Sequence, residues 1–134
     1  MDLRPLTMID DMVEIIKDEY HIDVKTKNRS SMYVIPRAAL FNACRGYYSA
    51  TTIGQYFGHN HATILHHCKN HKALMRLPDY QQYYARLQEV TEKYDKAAKE
   101  RRMTLENENA MLTREVKALR KKLRQYAEKI DTQE

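Results

Sequence analysis

The stretch 53–71, IGQYFGHNHATILHHCKNH, contains two amphipathic helical patterns that are joined through Gly58 with almost no loop. Glycine takes the left-handed conformation at the end of a helix without steric penalty, so Gly58 predicts the end of the first helix. Asn60 is a favoured N-cap residue and predicts the start of the second helix. Two helices connected by so short a turn are typical of a helix-turn-helix motif.

The second helix of this motif is predicted to begin with a polar turn. Asn60, His61 and Thr63 supply hydrogen-bonding groups there. Its apolar side consists of Ile64, Leu65 and Cys68. In helix-turn-helix proteins the N-terminal residues of the second helix contact base edges in the major groove. Asn suits a bidentate contact with adenine, and Thr can meet a thymine methyl group, so the sequence predicts double-stranded DNA as the partner of this end.

Formal charge is unevenly distributed along the chain. Residues 24–78 contain no Asp or Glu but eight basic side chains: Lys25, Lys27, Arg29, Arg37, Arg45, Lys69, Lys72 and Arg76. The first 23 residues carry seven acidic and two basic side chains, so the net charge of +5 conceals a basic centre beside an acidic first helix. This separation indicates a surface that binds a polyanion. The residues predicted to contact the DNA backbone from this segment are Lys25, Lys27, Arg37 and Lys69.

The chain length of 134 residues fits one small globular domain plus an extended element. No apolar run approaches the roughly 20 residues needed to span a membrane, and Met1 is followed by Asp2 rather than by a basic and apolar leader. We therefore expect a cytoplasmic, nucleoid-associated protein without a membrane partner. Cys44 and Cys68 lie in apolar helical patterns, which favours buried free thiols.

Four short helices are predicted within a first domain, residues 1–78, of an all-α protein. The first runs from about residue 7 to 20, and Thr7 with Asp10 resembles a capping box. Residues 21–34 lack periodicity and are predicted to form a basic loop, after which Pro36 starts the second helix. The third helix begins at Ser49 or Thr51 and ends at Gly58. The fourth runs from about residue 61 to 75, and Leu77-Pro78-Asp79 marks the domain boundary.

The second domain, residues 79–134, is predicted to be one long helix. Eight of its positions recur in alternating steps of four and three: Leu105, Asn109, Leu112, Val116, Leu119, Leu123, Tyr126 and Ile130. Leucine at d with β-branched residues at a favours a parallel dimer, and a single Asn at a fixes the register. We therefore predict a homodimeric coiled coil over about residues 105–130. We expect the start of the helix to pack partly on the globular domain through Tyr80, Tyr83, Tyr84 and Leu87.

The segment IGQYFGHNHATILHHCKNHKAL resembles the C-terminal DNA-binding domain of the bacterial replication initiator DnaA. That family shows an Ile-Gly pair, a Phe-Gly turn, an Asp-His-Thr-Thr reading segment and Leu-His-x-Cys. Upstream, Ile9-Asp10, the run YHIDV at 20–24, the basic loop and Pro36-Arg37 also fit, so the resemblance covers about residues 7 to 78.

The resemblance implies roles for particular residues. His61 and Thr63 match family positions that read bases, whereas Asn60 and Ala62 stand where the family has Asp and Thr. One residue is also missing between Gly58 and His61, so the resemblance does not extend to the initiator's own target sequence. Arg29 lies in the loop from which a family arginine enters the minor groove. Thr51 or Thr52 lies where the supporting helix touches the DNA backbone.

The sequence gives less support to a metal site or to catalysis than to DNA binding. Cys68 lies in a segment with five histidines: His59, His61, His66, His67 and His71. No second Cys pair is nearby, and the side chains point around the whole helix. We therefore predict no metal and no cofactor. No carboxylate in the acid-free segment could orient a histidine base, and GxxxxGK[ST] is absent from the sequence. The sequence therefore does not predict an enzyme.

Lys93, Lys96, Lys99, Arg101 and Arg102 precede the heptads, which is the layout of a bZIP protein. Interspersed acidic residues favour a solvated amphipathic helix instead. The preferred hypothesis is a sequence-specific DNA-binding protein, dimerised by its coiled coil, in replication control or transcriptional regulation. The alternative is a structural or adaptor protein whose coiled coil recruits a protein partner and whose first domain no longer reads DNA sequence.

Overall fold

The computed structural model describes residues 4–132, and within this range it contains six helices and no strand. The helices are α1 (Thr7–Tyr20), α2 (Ser31–Cys44), α3 (Ala50–Phe57), α4 (His61–Lys69), α5 (His71–Leu74) and α6 (Pro78–Thr132). The predicted all-α class is confirmed, and so is the order of short helices followed by one long helix. None of the helices in the described part is both long and apolar enough to cross a membrane.

Helix α1 has the predicted bounds because its apolar residues repeat at helical spacing on one face. The buried members of that face are Met8, Ile9, Met12, Val13 and Ile16. The predicted capping box is wrong, since the N-cap position is Leu6 and carries no side-chain cap. The backbone makes this turn instead: the N–H of Met8 donates to the carbonyl of Pro5 at 3.1 Å.

Helix α2 begins at Ser31, and Pro36 lies inside it. The prediction that Pro36 starts the helix is therefore wrong. Proline is favoured in the first turn because its missing N–H has no intrahelical acceptor there, but packing can override this preference. Tyr33 and Ile35, in the turn before Pro36, pack against the core. Burial of these side chains favours an extra helical turn over the loop that the sequence predicted.

Helix α4 ends earlier than predicted. It stops at Lys69, Asn70 leaves helical geometry with φ −90° and ψ 4°, and a separate short helix α5 follows. Asn side chains compete with the helical ladder by local hydrogen bonding. Here the Asn70 Nδ2 lies 3.2 Å from His66 Nε2, and the His71 Nδ1 lies 2.7 Å from the Tyr80 hydroxyl. These contacts stabilise a break where the sequence predicted a continuous helix to residue 75.

One core joins α1, α2, α3, α4 and the beginning of α6. Its fully buried members include Ile16, Leu40, Ile53, Ile64 and Tyr80. Tyr80 and Leu87 of α6 are 0% exposed and Val90 is 4% exposed, so the first four turns of this helix belong to the globular unit. Their packing there agrees with the predicted contact of this segment with the first domain.

The compact unit ends at Tyr94, and a second unit begins at Asp95. We predicted a domain boundary between residues 78 and 79 because Leu77-Pro78 is the last strong helix breaker in the sequence. A breaker marks where the backbone turns, however, and not where packing stops. We call residues 4–94 the head and residues 95–132 the distal helix. In the distal helix the side chains of residues 99–130 are all exposed.

Candidate nucleic-acid interface

The turn between α3 and α4 depends on two glycines. Gly58 adopts a left-handed conformation, with φ 72°, and ends α3 as predicted. The chain then folds back so that the N–H of His59 donates to the carbonyl of Gly54 at 2.8 Å. A Cβ atom at position 54 would lie 2.5 Å from the carbonyl oxygen of His59, which is closer than real contacts allow. Gly54 therefore permits the close approach that fixes the direction of α4.

The leading end of α4, residues 60–63, presents the predicted polar residues outward. Asn60 is the N-cap, and its Oδ1 accepts a hydrogen bond from the N–H of Ala62 at 3.0 Å, as predicted. Asn60, His61 and Ala62 are exposed and Thr63 is half-buried, while Ile64 beneath them is fully buried. The apolar anchor thus holds α4 on the core while its polar first turn faces solvent.

The cap has a consequence for the predicted base reading by Asn60. A bidentate contact with adenine uses both the oxygen and the nitrogen of the amide. The Oδ1 of Asn60 already accepts a backbone hydrogen bond, so its Nδ2 is the better placed group for an external acceptor. The backbone N–H groups of the same turn carry the positive end of the helix dipole, which favours an anionic partner.

The beginning of α3 supplies the threonines predicted to contact the DNA backbone. Ser49 is the N-cap, and its Oγ accepts from the N–H of Thr52 at 3.1 Å. The hydroxyl of Thr52 also lies 2.9 Å from the Ser49 Oγ, so it takes part in the cap. Thr51 is exposed, whereas Thr52 is half-buried. Of the two predicted residues, Thr51 is therefore the better placed to meet a phosphate.

Arg37 does not lie on the surface, and its predicted contact with the DNA backbone is wrong. Its side chain is 5% exposed and reaches back into the loop before α2. Its guanidinium donates to the carbonyls of Val24 at 3.0 Å and Asn28 at 3.2 Å, and also to the carbonyl of Thr26. Burial lowers the pKa of Arg37 from its ordinary value. The planar group with several donors can satisfy diverging carbonyls, which a single ammonium could not.

Arg37 gives the loop 22–30 its shape. Ile22 and Val24 anchor the loop in the core, at 5% and 1% exposure. After these anchors, Lys25, Lys27 and Arg29 are exposed. We predicted an irregular basic loop from the sequence. In the structure this loop is ordered, and it exposes its cations. The sequence offered no signal for this, because a lone arginine after a proline is most often a surface residue.

The three exposed cations of this loop have different surroundings. Lys27 is close enough to His59 that, together with Arg37, it lowers the pKa of that histidine, after the larger effect of burial. Lys27 therefore lies near the turn that precedes α4. Lys25 instead places its Nζ 4.8 Å from the centroid of the Tyr56 ring, and the Tyr56 hydroxyl donates to the carboxylate of Asp10. Lys25 thus packs on Tyr56 beside the acidic helix α1, which weakens the prediction that Lys25 contacts the DNA backbone.

Lys69 lies at the far end of α4 from Asn60. It is exposed and is the last residue of the helix. With a rise of about 1.5 Å per residue, the two ends of this helix are roughly 12 Å apart. The structure therefore does not bring Lys69 together with residues 60–63, although its exposure leaves a phosphate contact open to it.

Two of the five histidines pack rather than ligate. The rings of His59 and His67 lie 5.9 Å and 5.5 Å from the ring of Phe41. Burial is the main cause that lowers the pKa of both histidines. In the described part of the chain, no group of three or more His, Cys, Asp or Glu side chains could hold a metal ion. Cys44 is a buried free thiol and Cys68 a half-buried one, and burial raises the pKa of each.

A buried polar network, which the sequence did not predict, secures the other end of α4. The Asn42 Nδ2 lies 3.2 Å from the carbonyl of His67 and 2.9 Å from the hydroxyl of Tyr80. The same hydroxyl lies 2.7 Å from the Nδ1 of His71. Buried polar groups need such partners, and Tyr80 is 0% exposed. The network connects α2, the end of α4, α5 and α6, and so helps to set the position of the whole interface.

Acidic side chains of α1 are engaged by residues elsewhere in the head. Asp10 accepts from Tyr56 and Asp11 from Tyr94, and Glu19 forms an ion pair with Arg86 at 2.9 Å. The contacts of Asp11 and Glu19 join α1 to α6 in antiparallel order, whereas the contact of Asp10 joins α1 to α3. Asp11 and Glu19 therefore attach the beginning of α6, whereas Asp10 lies beside Tyr56, whose ring is covered by Lys25.

The heptad positions lie in the distal helix and form an exposed stripe. All eight residues, Leu105, Asn109, Leu112, Val116, Leu119, Leu123, Tyr126 and Ile130, are exposed, and the apolar ones range from 45% for Val116 to 69% for Leu123. Contiguous apolar surface of this kind marks an interaction site. The predicted coiled coil stays a prediction, since the structure contains a single chain.

Residues 9–70 match the family model described as the bacterial DnaA protein helix-turn-helix. The match confirms the resemblance predicted for about residues 7 to 78, and it spans α1 to α4 with the turn and the basic loop. It supports DNA binding in general for this segment. The distal helix lies outside the matched residues. No curated protein and no solved structure matches the chain.

Proposed function

We propose that this chain is a sequence-specific double-stranded DNA-binding protein that inserts the leading end of α4 into the major groove. The observation that supports this most strongly is the exposure of Asn60, His61 and Ala62 on a helix whose next turn is anchored by the fully buried Ile64. Base contacts need such residues to be both outward-facing and rigidly held. Thr63, half-buried, completes the reading turn.

The basic loop supplies the second part of the proposed interface. Lys27 and Arg29 would attract phosphate without regard to sequence, and Arg29 would enter the adjacent minor groove as the resemblance implies. Thr51 would add a backbone contact from the start of α3. Arg37 would serve the interface indirectly, because it holds the loop carbonyls that position these cations.

Dimerisation through the heptads is the third part of the proposal. Two heads on one parallel coiled coil would bind paired half-sites and gain affinity through effective concentration rather than through new contacts. Asn109 at an a position would fix the register and the dimeric state. Sedimentation of Asn109→Val should show a more stable assembly with a mixture of oligomers. A strict dimer in that variant would rule out the proposed role of Asn109.

The proposed role is binding rather than catalysis, in replication control or transcriptional regulation and in the cytoplasm at the nucleoid. The loop and turn present cations and backbone donors at a surface, where His59 and His67 pack against Phe41 and lie near basic groups.

Selection of bound oligonucleotides from a random duplex pool tests the proposal, because a recovered motif gives specificity, symmetry and half-site spacing together. The double variant His61→Ala/Thr63→Ala should lose preference between the motif and random duplex while it keeps salt-dependent binding. Gln82→Ala/Gln88→Ala, two exposed positions on α6, is the matched control. Equal loss on every sequence would exclude His61 and Thr63 as readers.

An adaptor protein is the second candidate, and the exposed apolar stripe of the distal helix favours it. In that case the stripe would bind a different chain and the head would not read sequence. Sedimentation of the purified chain separates the two, since a homodimer uses the stripe itself. A monomer without salt-dependent DNA binding would support the adaptor and reject the DNA-reading function.

A further inference from the structure

The distal helix contains a second concentration of positive charge that the helix-turn-helix does not explain. Residues 116–127 contain no Asp or Glu and five basic side chains: Lys117, Arg120, Lys121, Lys122 and Arg124. Residues 95–111 of the same helix carry four basic side chains and four acidic ones, Asp95, Glu100, Glu106 and Glu108. The charge is therefore localised near the end of the helix and is not a general property of it.

Three of these cations and the preceding Arg114 occupy one side of the helix. Arg114, Lys117, Lys121 and Arg124 follow one another in steps of three and four residues, which places them on one face. We call these four residues the cationic stripe. Lys117, Lys121 and Arg124 also line one shallow depression of the helix surface together with Arg120, and Glu128 lies at its end.

The cationic stripe lies opposite the apolar heptad positions. With the leucines at 105, 112 and 119 at d, all four stripe residues occupy b or f positions, which point away from the seam of a coiled coil. A partner helix would therefore cover the apolar residues and leave these cations in solvent. All four are exposed. Within the described residues, none of their side chains makes an ion pair or a hydrogen bond.

We propose that the cationic stripe is a second DNA-binding surface, which contacts the phosphates of duplex DNA without reading sequence. The stripe spans eleven residues, or about 15 Å of helix. Duplex DNA carries about one negative charge per 1.7 Å, so a segment of equal length offers about nine charges. This inference rests on the proposed function, because it assumes that a second copy covers the apolar face.

The apolar face of the distal helix favours DNA over a membrane as the partner of the cationic stripe. A basic helix that binds a membrane buries its apolar face in the lipid, whereas here that face carries a period of 3.5 residues with one Asn, which suits a partner helix. With the apolar face covered, the remaining surface offers charge alone. A DNA phosphate backbone needs nothing more than this.

The test is the salt dependence of binding of the full chain to a random-sequence duplex of about 40 base pairs, measured by fluorescence anisotropy. Arg114→Gln/Lys117→Gln/Lys121→Gln/Arg124→Gln removes the stripe. It should weaken binding at 0.15 M salt by about tenfold or more and reduce the slope of log K against log salt by about two or more. Charge-keeping exchange of Lys for Arg and Arg for Lys at the same four positions should bind like the wild type, and sedimentation confirms that each variant still assembles.

The matched control is Lys96→Gln/Lys99→Gln/Arg101→Gln/Arg102→Gln, which removes the same charge from the balanced part of the same helix. Equal weakening in the control would overturn the proposal, because net charge alone would then explain the effect. Wild-type affinity in the stripe variant would also overturn it. So would stripe-dependent binding to vesicles containing anionic lipid when DNA binding is unchanged.

A head variant separates this inference from the proposed function. Lys27→Gln/Arg29→Gln/His61→Ala/Thr63→Ala removes the contacts assigned to the head and leaves the stripe. If only the head variant loses binding, the proposed function stands and the stripe proposal is wrong. If only the stripe variant loses binding, the stripe stands and the function assigned to the head is wrong.

Discussion

The head and the distal helix differ in how their exposed side chains are supported. In the head, a few exposed residues are held by neighbours that are completely buried, as Ile64 holds the turn that begins with Asn60. In the distal helix, residues 99–130 are all exposed. The head therefore carries its own structural support, whereas we propose that the distal helix acquires support from a partner helix.

Truncation of the chain should have the largest effect on the stability of the head. A chain ending at Tyr94 should keep a folded head, since it retains Tyr80, Leu87 and Val90. A chain ending at Leu77 loses these three buried side chains, each worth about 1.5–3 kcal/mol, and should unfold. Circular dichroism during thermal unfolding measures the difference. A folded, cooperative 1–77 chain would show that the beginning of α6 is not part of the core.

A matched pair of leucine-to-alanine substitutions, one in each region, tests the head and the distal helix separately. Leu87 is 0% exposed and Leu119 is 59% exposed. Leu87→Ala should destabilise the head by about 2–5 kcal/mol at every protein concentration. Leu119→Ala should leave the head unchanged and lower only a transition that depends on concentration. Urea unfolding at two concentrations tests both, and equal effects of the two variants would contradict the division into two regions.

Replacement of Arg37 tests whether a buried charge supports the exposed cations. Arg37→Met should destabilise the head by about 2–3 kcal/mol, because the loop carbonyls lose their donors. Arg37→Lys should recover only part of this, since an ammonium cannot match the planar group. Both variants should weaken DNA binding through disorder of the loop, which amide hydrogen exchange of residues 24–28 would detect. Full stability with weakened binding would instead restore Arg37 as a direct phosphate contact.

The smallest expected effect is a dependence of head stability on pH. Burial lowers the pKa of His59 and His67, so the unfolded chain takes up protons at higher pH than the folded one. Stability should therefore fall as the pH drops below the ordinary histidine pKa of about 6.5, and level off below the folded pKa values.

Urea midpoints between pH 7.5 and 5 measure this dependence. The double variant His59→Gln/His67→Gln should show a flatter profile than the wild type. A profile of the same steepness in both would assign the effect to other groups.

The parts of the fold that were predictable are those governed by local rules. The period of Ile9, Met12 and Ile16 defined α1, and Gly58 with Asn60 defined the turn, because glycine and N-cap preferences depend on only a few neighbouring residues. The resemblance implies base-reading roles for His61 and Thr63, which spacing alone suggests only weakly, and these roles stay predictions.

The rest depended on contacts between residues distant in sequence. Pro36 lies inside α2 because Tyr33 and Ile35 pack on the core, and Arg37 is buried because loop carbonyls are oriented around it. Neither contact leaves a periodic pattern in the sequence. The end of α4 and the extent of the head were mistaken for the same reason, since both depend on Tyr80, which meets partners far away along the chain.

The burial of Tyr80, Leu87 and Val90 also has a consequence for biosynthesis. A ribosome delivers the helix-turn-helix first, but the core stays incomplete until residue 90 has emerged. At about 5–20 residues per second, the interval after Ile64 lasts roughly one to five seconds. During that time the nascent chain exposes apolar surface around Ile16 and Leu40, which makes it a substrate for chaperones before it can become a DNA-binding module.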